Sequence, residues 1–320
     1  MPEIDFDPTT VPWIDRPDFS AELVRRLEAG ELTAEEAEHL ENFARDGFLY
    51  LPGAIATSEI DRLLEEVEEA WRDRPAIKAL VEGRGVVPLA EVPARSELDT
   101  HHFRLLDFQD VSDAARTLML HPKVTRYLGL IFGEEPVAMQ SLYFEYGSEQ
   151  GTHQDFPYVQ AQILSHLVGC WIACEDVTAE NGPLFYYRGS HRIPKFSFGG
   201  SLTYGGEDES QIAEFEAHLE RECEEGGLEK LIFHAKKGDV LFWHSALVHG
   251  GSPARERDAR RRSLVAHYST RTAYSRDRRR PHEEPGILRR HGGVIYLRRE
   301  PGFLDWLRST AGGALRRLRS

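Results

Sequence analysis

The chain has 320 residues, 41% hydrophobic and 29% charged, which is material for one large domain or two small ones around a real core. Three cysteines (Cys170, Cys174, Cys223) exclude a disulfide framework, and no apolar run approaches the roughly 20 residues of a membrane span. The net charge of −14 is uneven: residues 251–320 hold 18 Arg, no Lys and 7 acidic groups, while the remaining body is strongly acidic and disfavours nucleic acid as a partner.

The opening MPEIDFDPTTVPWIDRP is acidic and reads as neither a signal nor a transit peptide, so a cytoplasmic protein is expected. Residues 1–20 form an irregular lead. SAELVRRLEAG and TAEEAEHLENFARDG read as helices, with Ser20 and Thr33 as N-caps and a Gly ending each. FLYLPGAI is a short strand stopped by Pro-Gly. TSEIDRLLEEVEEAWRDR has helical spacing of Ile60, Leu63, Leu64, Val67 and Trp71. Residues 75–105 carry no clear period. VSDAARTLMLHPKVTRYLGLIFGEE reads as two helices divided at His121-Pro122.

After Glu135 the period changes to two. PVAMQSLYFEYG alternates, and HLVGCWIACEDV, GPLFYYRGSH, LIFHAKKGDVLFWHSALVHGG and RSLVAHYST read as short strands punctuated by Gly and Pro. Such a series predicts a double-stranded β-barrel or sandwich. The acidic helix ESQIAEFEAHLERECEE interrupts it as an insertion at 207–227. The Arg-rich tail reads as irregular up to PGFLDWLRSTAGGALRRLRS, a terminal helix weakened at Gly312-Gly313. That helix either packs on the body or makes a peripheral membrane contact.

GTHQDFPY places His153 and Asp155 two apart. The spacing recurs at His39/Glu41, His218/Glu220 and His282/Glu284, so alone it carries little. On a strand, residues i and i+2 share a face, whereas in a helix they diverge. His153/Asp155 follows a good strand; His39 and His218 lie in helical patterns. GDVLFWHSALVHGG offers His244 or His249 as a distant third ligand. Two His and one carboxylate with open positions suit non-haem Fe(II). RDARRRSLVAHY then offers Arg262, or its neighbours Arg260 and Arg261, as a fork for a carboxylate.

These pieces occur in the order of a known family. ENFARDGFLYLPGAI, LMLHPKVTRYLG, HQD, CWIACEDVTAENGPLFYYRGSH, GDVLFWHSALVHGGS and RSLVAHY together resemble the phytanoyl-CoA dioxygenase family of Fe(II)/2-oxoglutarate-dependent oxygenases, over about residues 40–270. The resemblance implies a mainly β fold with flanking helices: a double-stranded β-helix (jelly-roll, cupin-like) barrel with N-terminal helices packed on one sheet. It implies a single catalytic domain over 21–270 and an Arg-rich extension over 271–320, a lid or a packed helix. Fe(II), 2-oxoglutarate and O2 would be the cofactor and co-substrates, with succinate and CO2 as co-products. His153, Asp155 and His249 would be the metal ligands and catalytic centre. Arg262, with Arg260 as the alternative, Trp171 and Gln140 would meet 2-oxoglutarate, and Tyr158, Arg188 and Arg276 would contact substrate. Arg188 stands where the family has Pro. The carboxylate of Asp155 points to hydroxylation of an aliphatic carbon rather than halogenation, because halogenating relatives have a small residue there. The substrate would be a small molecule, a secondary metabolite or a lipid-like acyl compound, and the assembly a monomer or dimer. The competing reading is a metal-binding jelly-roll without 2-oxoglutarate chemistry, an isomerase or an inactive regulator.

Overall fold

The computed structural model of the chain describes residues 4–274 and 286–297, apart from Asp99, Glu207 and Arg257. Arg276 and the expected terminal helix lie outside the described residues.

The N-terminal half is helical. α1 (Phe19–Glu28) starts one residue before Ser20, which therefore sits inside the first turn and caps nothing. α2 (Ala34–Asp46) has the expected capping box: Thr33 Oγ1 accepts from the Glu36 N–H at 3.1 Å, and the Glu36 carboxylate accepts from the Thr33 N–H at 2.9 Å. Gly47 ends it in the left-handed region, φ 81, and turns the chain into β1 (Phe48–Leu51). α3 (Thr57–Asp73) buries Ile60, Leu63, Val67 and Trp71 along one face. The patternless stretch that follows holds β2 (Lys78–Val81), β3 (Gly85–Pro88) and β4 (Phe103–Leu106). α4 (Asp113–Met119) and α5 (Pro122–Phe132) divide at His121-Pro122, where Pro at the first helical position forfeits no hydrogen bond.

The strands follow: β5 (Pro136–Phe144), β6 (Val168–Ala173), β7 (Leu184–Tyr187), β8 (Lys230–Phe233), β9 (Val240–His244), β10 (His249–Gly251) and β11 (Ser263–Thr270), with α6 (Ser210–Glu225) as the expected insertion. The large sheet runs β1-β9-β6-β11-β5-β4-β2-β3, and the small one β10-β7-β8; among these strands every pairing is antiparallel. This is the jelly-roll expected from the resemblance.

Alternation sorts the two faces of the large sheet. Even-numbered Cys170, Ile172, Val240, Phe242, Leu264 and Ala266 pack against the helices. Odd-numbered Trp171, Ala173, Leu241, Trp243 and Val265 face Tyr186 and Phe233 of the small sheet. A sheet covered on both faces explains why these strands read as apolar runs.

One expectation is corrected. Where composition reads as an irregular Arg-rich tail, β12 (Gly286–Arg290) and β13 (Gly293–Leu297) form a hairpin, and β13 pairs in parallel with β5 at Val137 and Ala138. Its two-residue turn, His291-Gly292, has φ 49 and 78, the twist that a tight hairpin needs. Only Gly293, Val294 and Ile295 are buried, so the arginines mask a one-sided strand pattern. Among the described residues no helix is long and apolar enough to cross a membrane.

Candidate metal centre

His153 and His249 meet as a lone antiparallel bridge between the segment after β5 and the start of β10. Each backbone N–H donates to the other's carbonyl, at 2.9 and 3.0 Å. Two further ties lock the register: the Asp155 N–H donates to Ser245 O at 2.9 Å, and the Gln154 amide to Ala246 O at 2.6 Å. Gln154 thus points away from the side shared by its neighbours, as extended backbone requires.

Both rings are oriented by backbone. His153 Nδ1 lies 2.8 Å from Gly151 O and His249 Nδ1 2.9 Å from Leu247 O. A carbonyl only accepts, so each Nδ1 carries the hydrogen and each Nε2 presents its lone pair. Those two Nε2 atoms stand 3.7 and 3.8 Å from Asp155 Oδ1. One donor atom from each of the three residues lies within 4.8 Å of the others.

Burial, with His249 adding to it, pushes His153 down to about 4, so the ring is neutral at pH 7. Burial alone would raise the Asp155 carboxyl, but His249, His267 and His153 around it hold it well below the usual carboxylate range. Two imidazoles and one carboxylate converging on a point fit a divalent transition metal that keeps positions open.

A cavity of about 60 Å³ adjoins the three residues, walled by Trp171, Leu142 and Val265. It meets a larger cavity of about 540 Å³ at Arg104, Phe144, Ser148 and Gln150. Arg261 lines the smaller cavity, is 1% exposed, and leaves Nε and Nη1 without a hydrogen-bond partner. Desolvation pulls its guanidinium down to about 10, which leaves it charged at pH 7. Glu175 acts on it through space, but no acid hydrogen-bonds it; a buried cation left so is costly, and an anion in the cavity would relieve it. Trp171 Nε1, in the same wall, is likewise buried without a partner.

Of the three consecutive arginines, strand parity turns Arg261 to the cavity and not the expected Arg262 or Arg260. Arg262 turns to the other face and pairs with Glu175 at 3.0 Å; Arg260 pairs with Glu145 at 3.4 Å. Arg261 shares the inward face with Val265 and His267, both of which line the cavity. Gln140 is not in the cavity wall; its amide lies 3.2 Å from Nδ1 of His267, a ring that does line it. His244 faces Asp15 at 3.3 Å, on the helix side.

Neither described substrate candidate lines either of the two cavities. Tyr158 is 40% exposed and packs on Tyr204 and on Phe215 of the insertion. Arg188 pairs with Glu229 at the β7–β8 end. Arg104, Trp243 and His267 were not predicted at the site. The signal for the last two is the inward parity they share with Trp171 and Val265.

A family model described as phytanoyl-CoA dioxygenase (PhyH) matches residues 43–263. The chain is 23% identical over 259 residues to the peroxisomal phytanoyl-CoA dioxygenase of Homo sapiens, covering 76% of this chain and 70% of that protein. Among solved structures it is similar to the non-heme alpha ketoglutarate dependent carbocyclase SnoK from nogalamycin biosynthesis, with TM-score 0.57 and 19% identity over 76% of this chain and 85% of that one. It is also similar to the epimerase SnoN in complex with Fe3+, alpha ketoglutarate and nogalamycin RO, with TM-score 0.55 and 20% identity over 74% and 84%. At these identities the structural likeness speaks to the fold.

Proposed function

The chain belongs to the phytanoyl-CoA dioxygenase family, and from that membership we propose that it is an Fe(II)- and 2-oxoglutarate-dependent oxygenase acting on a small molecule. The observation that carries the reading is the convergence of His153 Nε2, His249 Nε2 and Asp155 Oδ1 beside the unpartnered, buried guanidinium of Arg261. SnoN, similar in fold, was crystallised with iron and the same keto acid.

Iron, 2-oxoglutarate and O2 supply the oxidising power to break a substrate C–H bond, with succinate and CO2 as co-products. His153, His249 and Asp155 hold the metal. Arg261 takes the far carboxylate of 2-oxoglutarate as a two-pronged donor. Arg104, which lines both cavities, offers a second guanidinium. Trp171, Leu142 and Val265 exclude water from it. The larger cavity is the approach for substrate.

Within this class we infer hydroxylation of an aliphatic carbon. SnoK and SnoN are a carbocyclase and an epimerase, so relatives in fold send the C–H step to different ends, and product analysis with isotopically labelled O2 decides among them. Incorporation of one labelled oxygen supports hydroxylation; a product without it overturns that step alone. The buried guanidinium of Arg261 in the same cavity as the three metal-ligand candidates favours this reading over a jelly-roll that binds metal but no keto acid.

The test is anaerobic titration with Fe(II) and then 2-oxoglutarate. A visible charge-transfer band is expected from the chelated keto acid, and its loss in His153→Ala and Asp155→Ala. Iron uptake without the band would overturn the reading.

A further inference from the structure

The two oxygens of Asp155 face different surroundings. Oδ1 looks at the two ligand imidazoles, at 3.7 and 3.8 Å. Oδ2 accepts from the Trp243 indole N–H at 2.7 Å and lies 3.1 Å from His267 Nε2. On the other side of that ring, Nδ1 is 3.2 Å from the Gln140 amide nitrogen. An amide N–H only donates, so Nδ1 accepts and the ring hydrogen sits on Nε2, where it donates to Oδ2. Both N–H groups therefore saturate one oxygen and leave the other free.

These donors come from one row across the large sheet. Gln140 on β5 is the register partner of His267 on β11, His267 of Gly169 on β6, and Gly169 of Trp243 on β9. Gly169 is the gap in the row. A β-carbon there would stand inside the Trp243 indole, so the missing side chain is what lets the ring lie across β6. Trp243 and His267 meet edge to face over that gap, with centroids 6.3 Å apart.

We propose that the row Gln140–His267–Gly169–Trp243 positions Asp155 as a one-oxygen ligand, so that its second oxygen never occupies a place on the metal that 2-oxoglutarate needs. A free carboxylate can bind through both oxygens, and each place it takes is lost to the chelating keto acid. The inference rests on the oxygenase reading for its purpose, but not for its geometry. Trp243 and His267 also line the smaller cavity, but the role assigned to them and to Gln140 is that of positioning residues acting through Asp155.

The experiment compares wild type, the double variant Trp243→Phe/His267→Phe, and His267→Gln, which keeps an N–H donor. Fe(II) affinity and 2-oxoglutarate affinity are measured anaerobically, the latter through the charge-transfer band. A crystal structure with Zn(II) reports how Asp155 binds. In the double variant, 2-oxoglutarate affinity is expected to fall roughly 10- to 100-fold, the range typical for groups that orient metal ligands. Fe(II) affinity stays at or above wild type, and both Asp155 oxygens reach the zinc. His267→Gln stays near wild type. Unchanged 2-oxoglutarate affinity, or a one-oxygen Asp155 in the double variant, overturns the proposal. So does loss of Fe(II) binding in a folded variant, because the donors would then build the metal site rather than keep it open. If the double variant does not fold, Trp243→Phe alone removes one donor and keeps the ring, with a smaller drop expected. A wild-type protein that takes iron but shows no band defeats the oxygenase reading instead, and the Zn(II) structures still decide the geometry.

Discussion

Arg261 carries a full charge into a site where it is 1% exposed and where Nε and Nη1 find no partner. Its value and its cost are read by two opposite effects. Arg261→Gln is expected to raise the KM for 2-oxoglutarate roughly 10- to 100-fold, the loss of hydrogen bonds between charged groups, whereas Arg262→Gln leaves KM unchanged because its partner is Glu175. Arg261→Met is expected to stabilise the ligand-free protein by about 1–3 kcal/mol in denaturant unfolding, since it removes a buried charge that no acid hydrogen-bonds. The residue-level legibility of the site follows the same line. His153 and Asp155 were readable because i and i+2 on extended chain must share a side. Which of three consecutive arginines turns inward was not, because parity assigns a face only after the sheet has a defined interior. Trp243 and His267 were not legible as site residues because an indole or imidazole N–H has no signature of its target in the sequence.

Among the elements, the β12–β13 hairpin departs furthest from its sequence pattern. It is tied to the body by the parallel pairing of β13 with β5, by the Thr125 hydroxyl donating to His291 O at 2.7 Å, and by Arg289 and Arg290 on Glu135 and Asp113 at 2.6 and 3.4 Å. Surface ion pairs of this kind contribute little singly. The buried Val294 and Ile295 contribute more, about 1.5–3 kcal/mol each for full burial. A chain ended after Tyr274 is therefore expected to unfold at a lower temperature than the full chain, measured by calorimetry; an unchanged Tm would show the hairpin to be dispensable to the fold. The pairing is consistent with the charge asymmetry of the sequence: those arginines of the tail that are described meet acids of the body rather than standing free as a patch. β2, β3 and β4 escaped sequence reading for a related reason. They are four residues each, too short to establish a period, and they pair with one another, with β4 alone joined to the long strand β5.

Over the whole molecule, the N-terminal lead is fastened to the barrel through buried ionisable groups on the helix side of the sheet, opposite the metal centre. Asp15 meets His244 at 3.3 Å, and His191 packs beside His244 with ring centroids 5.2 Å apart. Burial, reinforced by His244, pushes His191 down to about 3 from an ordinary 6.5. Between those values the unfolded chain binds a proton that the folded one refuses. Stability is thus undiminished above about pH 6.5 and falls as pH drops toward 3. His191→Gln is expected to flatten that slope in urea unfolding measured from pH 7 to pH 4, while a slope unchanged by the substitution would assign acid sensitivity elsewhere.

By itself the sequence determined the helices α1 to α6, the strands β1 and β5 to β11, the pair His153 and Asp155, and, through its ordered motifs, the family and the jelly-roll. Those properties depend on neighbours in the chain: a period of 3.6 or 2, a cap, a glycine at a turn. Only the tertiary structure decided that Arg261 rather than Arg262 enters the cavity, that Tyr158 and Arg188 stand away from it, and that four residues from four strands line up behind one carboxylate oxygen. Such facts depend on register and on which face of a strand is inside. A one-residue change of register reverses that face without altering the local pattern that made the strand recognisable.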